Sequence, residues 1–416
     1  MLSDQQKGKV FWGWYVVVGA FLLMALSHGA RYCFGIFVQP LTAENGWSRS
    51  VVSLAASINL LVYASGGIVS GKLLDRIAPR WIATIGAVVG ATGFFLCTGS
   101  KSPLEFYFAY GLLCGFGSSW TGSVTMNTSV GKWFTRKRGL AIGISSMGIS
   151  FGTITLTSAT AFLMEHFPWR VGFLFIGVAL LIPGILIAQL LLHRTIPEAY
   201  GLMPDGEPPG AEGDRRFAAD PAPISAVHIR GDSRFWILAF CHGTAVMAAL
   251  SAYVHQVPYA IENGIVKIAA AASLGAIGFA GLLGQFFFGW ISDRIGDPKY
   301  SAALGYLFMA AGMVILLQTR TVEMLFLYAA VFGFGYGCLG PLLPILAADR
   351  FGRQNMGSIL GFLTFFVVGI GGALGPLVGG LVYDGTGSYR YAWGFNLVLL
   401  VIMAAGIATL KRNRRP

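Results

Sequence analysis

The stretch Gly71-Lys72-Leu73-Leu74-Asp75-Arg76 recurs as Gly289-Trp290-Ile291-Ser292-Asp293-Arg294, with glycine, aspartate and arginine at the same spacing. Each copy closes a long apolar run. A second pair follows at matching places: Arg138-Gly139-Leu140-Ala141-Ile142-Gly143 and Met356-Gly357-Ser358-Ile359-Leu360-Gly361 each open a further apolar run. Two matched pairs in the same order indicate a duplicated unit.

Working outward from these loops, twelve apolar spans can be counted: 11–38, 50–70, 81–99, 104–129, 139–163, 168–192, 235–259, 268–291, 300–318, 322–346, 356–383 and 389–410. Runs of about twenty apolar residues are the length that crosses a bilayer as a helix. The composition agrees, with 55% hydrophobic and only 11% charged residues, where a soluble domain carries roughly a quarter. The first run lacks a small-residue cleavage site and is too long for a signal segment, so it reads as a retained helix. The expected fold is an all-α integral membrane protein of twelve transmembrane helices in two pseudo-repeated six-helix bundles. Residues 1–192 form the first bundle, 193–234 a flexible polar linker around Pro204-Asp205-Gly206-Glu207-Pro208-Pro209-Gly210, and 235–416 the second bundle with a short basic tail.

The net charge of +11 does not mark a nucleic-acid binder, because the basic residues sit in short clusters between apolar runs. With the N-terminus inside, Lys and Arg divide 22 to 6 in favour of the inner loops, the six being Arg49, Lys101, Arg170, Lys267, Arg320 and Arg390. That asymmetry predicts both termini in the cytoplasm of a multi-pass protein of the cell's inner (plasma) membrane.

One cation belongs to neither set. Arg31 lies inside the first span, with His28 one turn before it, Tyr32 beside it and no acid in the run's interior. A lone arginine at bilayer depth is costly unless it faces protein or a watery cavity. An anionic substrate would supply the missing charge, and a planar guanidinium suits the two oxygens of one carboxylate. The competing reading is a side chain that snorkels to the outer surface. Ser27 shares the face of Arg31. Further polar candidates for a central cavity are Asn59 and Tyr63, then Trp120, Ser123 and Asn127, then Tyr253 and His255, Gln285, and Phe332 and Tyr336. Each is also a plausible helix–helix contact. His28, His242 and His255 are the intramembrane groups able to titrate near neutrality, so a co-transported proton would ride on one of them or on the substrate.

The two recurring loops suggest a gate. Asp75 and Asp293, at helix ends, can accept bonds from the N-terminus of a neighbouring helix. Arg76 and Arg294 pair locally or with lipid phosphate, and Gly71 and Gly289 let helices approach closely. Glycines inside spans five and eleven, among them Gly143, Gly148, Gly152, Gly371, Gly375 and Gly379, have the small-xxx-small spacing of tight packing. Pro341, Pro344 and Pro376 are expected to kink spans ten and eleven. The five cysteines fall in spans with no CxxC or Cys/His spacing, which predicts thiols without disulfides or metal. No phosphate loop, nucleophile elbow or metal cluster is present, so neither a cofactor nor an enzymatic activity is expected.

The paired Gly-x-x-x-Asp-Arg loops resemble the cytoplasmic motif of the major facilitator superfamily. Other stretches resemble its monocarboxylate transporter branch and the related oxalate–formate antiporters: Gly13-Trp14-Tyr15-Val16-Val17, Phe34-Gly35-Ile36-Phe37, Gly46-Trp47-Ser48-Arg49, the run from Gly131 to Ala141, and Trp169-Arg170. The resemblance implies the major facilitator fold, alternating access, and a carboxylate cargo often moved with a proton. It also implies that a basic residue late in the first helix touches the substrate, where Arg31 or Tyr32 stands. The aspartate and arginine that proton-linked members carry in the eighth helix fall on Gly281 and Gln285 here, so that charge pair is absent.

These readings converge on a secondary transporter, acting as a monomer, that moves a small organic monocarboxylate as symporter or antiporter. The alternatives are an exporter of a drug or other non-carboxylate solute, which would call for buried acids, and a sensor built on the same fold.

Overall fold

The computed structural model describes residues 11–206, 231–353 and 355–411. Among the inner-loop cations counted above, Lys7, Lys9, Arg215, Arg216, Arg230 and the tail arginines lie outside them, as does the linker stretch from Glu207 to Gly210. The described chain is helical throughout its apolar runs: α1 Trp12–Asn45, α2 Arg49–Leu74, α3 Pro79–Cys97, α4 103–133, α5 Arg138–His166 and α6 Trp169–Leu191. After the linker come α7 Ser233–Glu262, α8 Lys267–Ile295, α9 Pro298–Gln318, α10 Val322–Phe351, α11 Met356–Thr386 and α12 Tyr389–Ala408.

Eleven helices among the described residues are long and apolar enough to cross a membrane. The remaining expected span, α4, is divided. A π-helical turn runs over Tyr107–Cys114, and Gly122 is extended (φ −93°, ψ −161°), separating Gly115–Thr121 from Ser123–Trp133. The Tyr63 ring packs over Gly122, where a Cβ would meet it at 3.1 Å. The proline expectation holds in altered form. α10 breaks at Gly337–Cys338, just before Pro341, and α11 widens into a π-helical stretch over Phe365–Gly371, ahead of Pro376. Proline removes an N–H and crowds the carbonyl of the preceding turn, so the strain is relieved on its N-terminal side.

Several helices start where the sequence supplies a side-chain cap. The side chains of Ser48, Thr321 and Ser388 accept the N–H groups of Val51, Met324 and Arg390 at 3.3, 3.4 and 3.3 Å, each satisfying one of the orphan donors of a first turn. α1 runs beyond its expected end because Glu44 is held by the Arg170 guanidinium at 2.7 Å and accepts the Trp169 indole N–H at 2.5 Å.

The two sets of six helices repeat one packing scheme. Gly148 and Gly152 of α5 lie against Phe21 and Ala25 of α1, and Gly371 and Gly375 of α11 lie against Gly243 and Met247 of α7. α3 packs with α6 and α9 with α12 in the same way. The sets meet through two crossed pairs, α5 with α8 and α2 with α11. At the end bearing the Asp75 and Asp293 loops, here the basic end, these crossings are backbone on backbone. A Cβ on Gly71 would collide with the Gly357 carbonyl, and one on Gly139 with the Gly289 carbonyl. All five cysteines are buried and free.

Candidate functional site

Arg31 sits where α1 bends at Cys33. Its guanidinium lies over the Tyr63 ring, 4.4 Å from the centroid, an arrangement that holds a cation by the ring's negative face without neutralising it. Tyr63 is near the middle of α2 and buried. His28, one turn earlier, donates from Nδ1 to the Met24 carbonyl at 3.2 Å. That bond leaves Nε2 to accept from the Ser123 hydroxyl, 3.3 Å away, since a neutral imidazole has one donor and one acceptor. The Tyr110 hydroxyl donates to the Arg31 carbonyl at 3.4 Å, fixing the backbone that carries the charge.

The second set of helices contributes rings, not charge. Tyr253 of α7 and Tyr336 of α10 are nearly parallel, with centroids 6.5 Å apart. The Tyr336 hydroxyl approaches that of Tyr32 and lies within the field of Arg31. Beneath Tyr336 lies Gly281, and one turn on, Gln285 shares the neighbourhood of Gly340 with Ser146. Gln285 Oε1 and Ser146 Oγ are buried without a hydrogen-bond partner. Tyr32 keeps 42% of its surface exposed, so the group is not sealed off on that side.

Six of the residues singled out from the sequence therefore come together: Arg31, His28, Tyr32, Tyr63, Tyr253 and Tyr336. Gln285 lies at their floor. The others are committed to packing between helices. Asn59 donates to the Tyr110 carbonyl at 2.9 Å, Asn127 accepts from Ser145 at 3.4 Å, and His255 donates to the Pro376 carbonyl at 2.9 Å. Trp120 packs at a tilt on Phe116 against Gly86, and Phe332 is fully buried between Tyr328 and Tyr336. His242 accepts from the Tyr306 hydroxyl at 2.7 Å and donates to the Leu339 carbonyl at 3.0 Å. Tyr110, Ser146 and Gly340 escaped the sequence reading because nothing in a single sequence says which neighbour a lone hydroxyl or glycine will face.

The basic end is closed by two carboxylates that cross between the sets. Asp293, at the end of α8, accepts the N–H groups of Gly139 and Leu140 at 2.7 and 2.8 Å, the first of α5. Asp75, just after α2, accepts the Ser358 hydroxyl in the first turn of α11 at 2.7 Å. A carboxylate at a helix N-terminus meets both unpaired donors and the positive end of the dipole. Lys132 donates to the Leu74 carbonyl at 2.9 Å, and Arg353 reaches the Lys132 carbonyl at 3.2 Å and Glu198 at 3.3 Å. Arg76 is exposed, and Arg294 lies over the Trp290 ring at 4.5 Å. The first part of the linker is docked too. Asp205, at φ 62°, accepts three consecutive N–H groups from Thr135, Arg136 and Lys137 at 2.9, 2.8 and 3.1 Å.

The family description Major Facilitator Superfamily matches residues 20–368 and 261–416. Among curated relatives, monocarboxylate transporter 12-B of Danio rerio is 27% identical, with the alignment covering 100% of this chain and 92% of the relative. Monocarboxylate transporter 13 of Bos taurus is 28% identical over 91% of this chain and 84% of the relative. Among solved structures, a proton:xylose symporter superposes with a TM-score of 0.76 at 14% identity, covering 97% of both chains. A human organic anion transporter does so with 0.71 at 16%, covering 95% of this chain and 99% of the other. At those identities the structures establish the fold alone.

Proposed function

The chain belongs to the major facilitator superfamily, and we propose that it is a secondary transporter of a small organic monocarboxylate, working by alternating access. The observation that carries the proposal is Arg31, a permanent cation at mid-helix depth whose nearest companion is the Tyr63 ring. Among the described residues, the carboxylates of the spans lie at their ends and none in the middle. One fixed cation matches one carboxylate, with Tyr32, Tyr253 and Tyr336 offering rings and hydroxyls to the rest of the molecule. The relatives' names support the same class of cargo. The structure then corresponds to the form closed at its basic end, with the site reached from the opposite side. The loop charges favour placing the basic end and both termini in the cytoplasm of the cell's inner (plasma) membrane.

The test is uptake of labelled monocarboxylates into proteoliposomes that already hold the same unlabelled acid, for wild type and Arg31→Ala. Wild type takes up at least one small monocarboxylate and Arg31→Ala takes up none. Unchanged uptake by a well-folded Arg31→Ala protein would sink the proposal.

A further inference from the structure

We infer that this carrier is an obligatory exchanger of monoanions, changing its open side with an anion on Arg31 and not with the site empty. The inference rests on the reading of Arg31 as the carboxylate anchor. Its own ground is the charge balance of the empty site.

Every group described around Arg31 is neutral or engaged. On α1, His28 uses both ring nitrogens, on the Met24 carbonyl and on Ser123. From α2, α4, α7 and α10 come the tyrosines 63, 110, 253 and 336. From α5 and α8, Ser150 and Gly281 lie by Tyr336, and Ser146 and Gln285 by Gly340. The acids of α1 and α8 are at helix ends and already bound: Glu44 to Arg170 at 2.7 Å, and Asp293 to the Gly139 and Leu140 N–H groups. The other intramembrane histidines, His242 and His255, are tied to the carbonyls of Leu339 and Pro376.

Changing sides requires a form closed at both ends, in which the centre loses most of its water. An unpaired guanidinium is heavily penalised there, whereas a guanidinium with a bound carboxylate is neutral and hydrogen-bonded. A proton cannot rescue the empty form, because adding one to any neighbour raises the positive charge. Rescue would need a carboxylate that is ionised when the site is empty. The loaded protein carries no net charge at its centre, so exchange of one monoanion for another is electroneutral and needs no proton.

The test uses wild-type protein in proteoliposomes in a chloride-free medium, with labelled lactate and pyruvate as probes. Uptake should be faster by roughly 10²- to 10³-fold or more into vesicles preloaded with unlabelled acid than into empty ones, the order expected when one member of a buried pair is stranded. An imposed membrane potential should leave the exchange rate unchanged. Equal initial rates into empty and preloaded vesicles, or accumulation in empty vesicles driven by a proton gradient, would overturn the inference while leaving the monocarboxylate reading intact. Absence of uptake into both kinds of vesicle, for the whole acid panel, removes that reading instead. A gain-of-function arm adds an independent check. A Cβ at Gly281 would meet the Gly333 carbonyl at 3.4 Å and the Tyr336 ring at 3.6 Å, ordinary contact. In Gly281→Asp the new carboxylate should allow proton-driven uptake into empty vesicles. A Gly281→Asp protein that still exchanges but gains no such uptake counts against the inference.

Discussion

The Asp293 carboxylate of α8 and the Gly139 N–H of α5 are joined across the boundary between the two six-helix sets at 2.7 Å, with the Leu140 N–H on the other oxygen at 2.8 Å. One side chain thereby caps a helix that belongs to the opposite set. On the proposed alternating-access cycle, opening the basic end would break this cap, because α5 and α8 would separate there.

Asp293→Asn keeps one acceptor but loses the charge. Hydrogen bonds to charged groups contribute about 1.5–3 kcal/mol, so the closed basic end should weaken by roughly 10- to 150-fold in population. A cysteine placed at Ser146, buried at the crossing with α10, reports this. In the Asp293→Asn background it should react with an impermeant maleimide added at the basic side many-fold faster than in the wild-type background.

Asp75 should make the same end pH-sensitive. Burial raises its pKa above the usual aspartate value, against the pull of the Ser358 hydroxyl and the Lys132 charge. The closed form then binds the Asp75 proton more tightly than the open form, where the carboxylate is solvated. Closure is accordingly favoured as pH falls and loses that contribution as pH rises through the raised pKa. Maleimide labelling at Ser146→Cys should therefore increase with pH, and Asp75→Asn should remove that component of the slope.

Gly71→Val should trap the protein open at the basic end. The added side chain would run into the Gly357 backbone carbonyl, which cannot step aside as a flexible side chain could. Overpacking of this kind costs about 1–3 kcal/mol or more. Transport should be lost while the purified variant keeps a helical circular-dichroism spectrum and its Ser146→Cys derivative labels fully from the basic side.

Tyr306→Phe tests the interior of the second set. It strips the 2.7 Å bond from His242 Nδ1 and leaves a fully buried acceptor without a partner. Such groups cost about 1–3 kcal/mol, so the detergent-solubilised variant should unfold at a measurably lower temperature. Its exchange of bound anion should be unaltered, since neither residue reaches Arg31.

Much of this was legible in the sequence. Span length and apolarity dictate the helices, and the repeated Gly-x-x-x-Asp-Arg loops pointed to carboxylates capping a neighbour's N-terminus, which is how Asp293 is placed. The break in α4 was not legible. Gly122 stands in a run of small residues that a bilayer helix tolerates, and its extended backbone is seen only with the Tyr63 ring packed on it. The linker's composition reads as flexible, yet Asp205 is bound to a loop some 70 residues earlier in the chain, a contact no local pattern encodes. At the site, Asn59, Asn127 and His255 have the same helical spacing as cavity-lining groups. What assigns them to packing is a bond to a neighbouring helix in each case.

The glycine crossings have a consequence for energetics. Where Gly71 meets Gly357 and Gly139 meets Gly289, the seam is a zipper without teeth. Parting it uncovers peptide groups that water can bind, with few side chains to withdraw there, Leu74 beside Gly357 and Ser292 beside Gly139 among them. The two open forms can then lie close in free energy, separated chiefly by the caps at Asp75 and Asp293. A cargo tips such a balance by the difference between its affinities for the two forms, about 1.4 kcal/mol for each tenfold. On the proposed function, a smooth seam would let a cargo with a modest preference for one form carry the chain from one open side to the other.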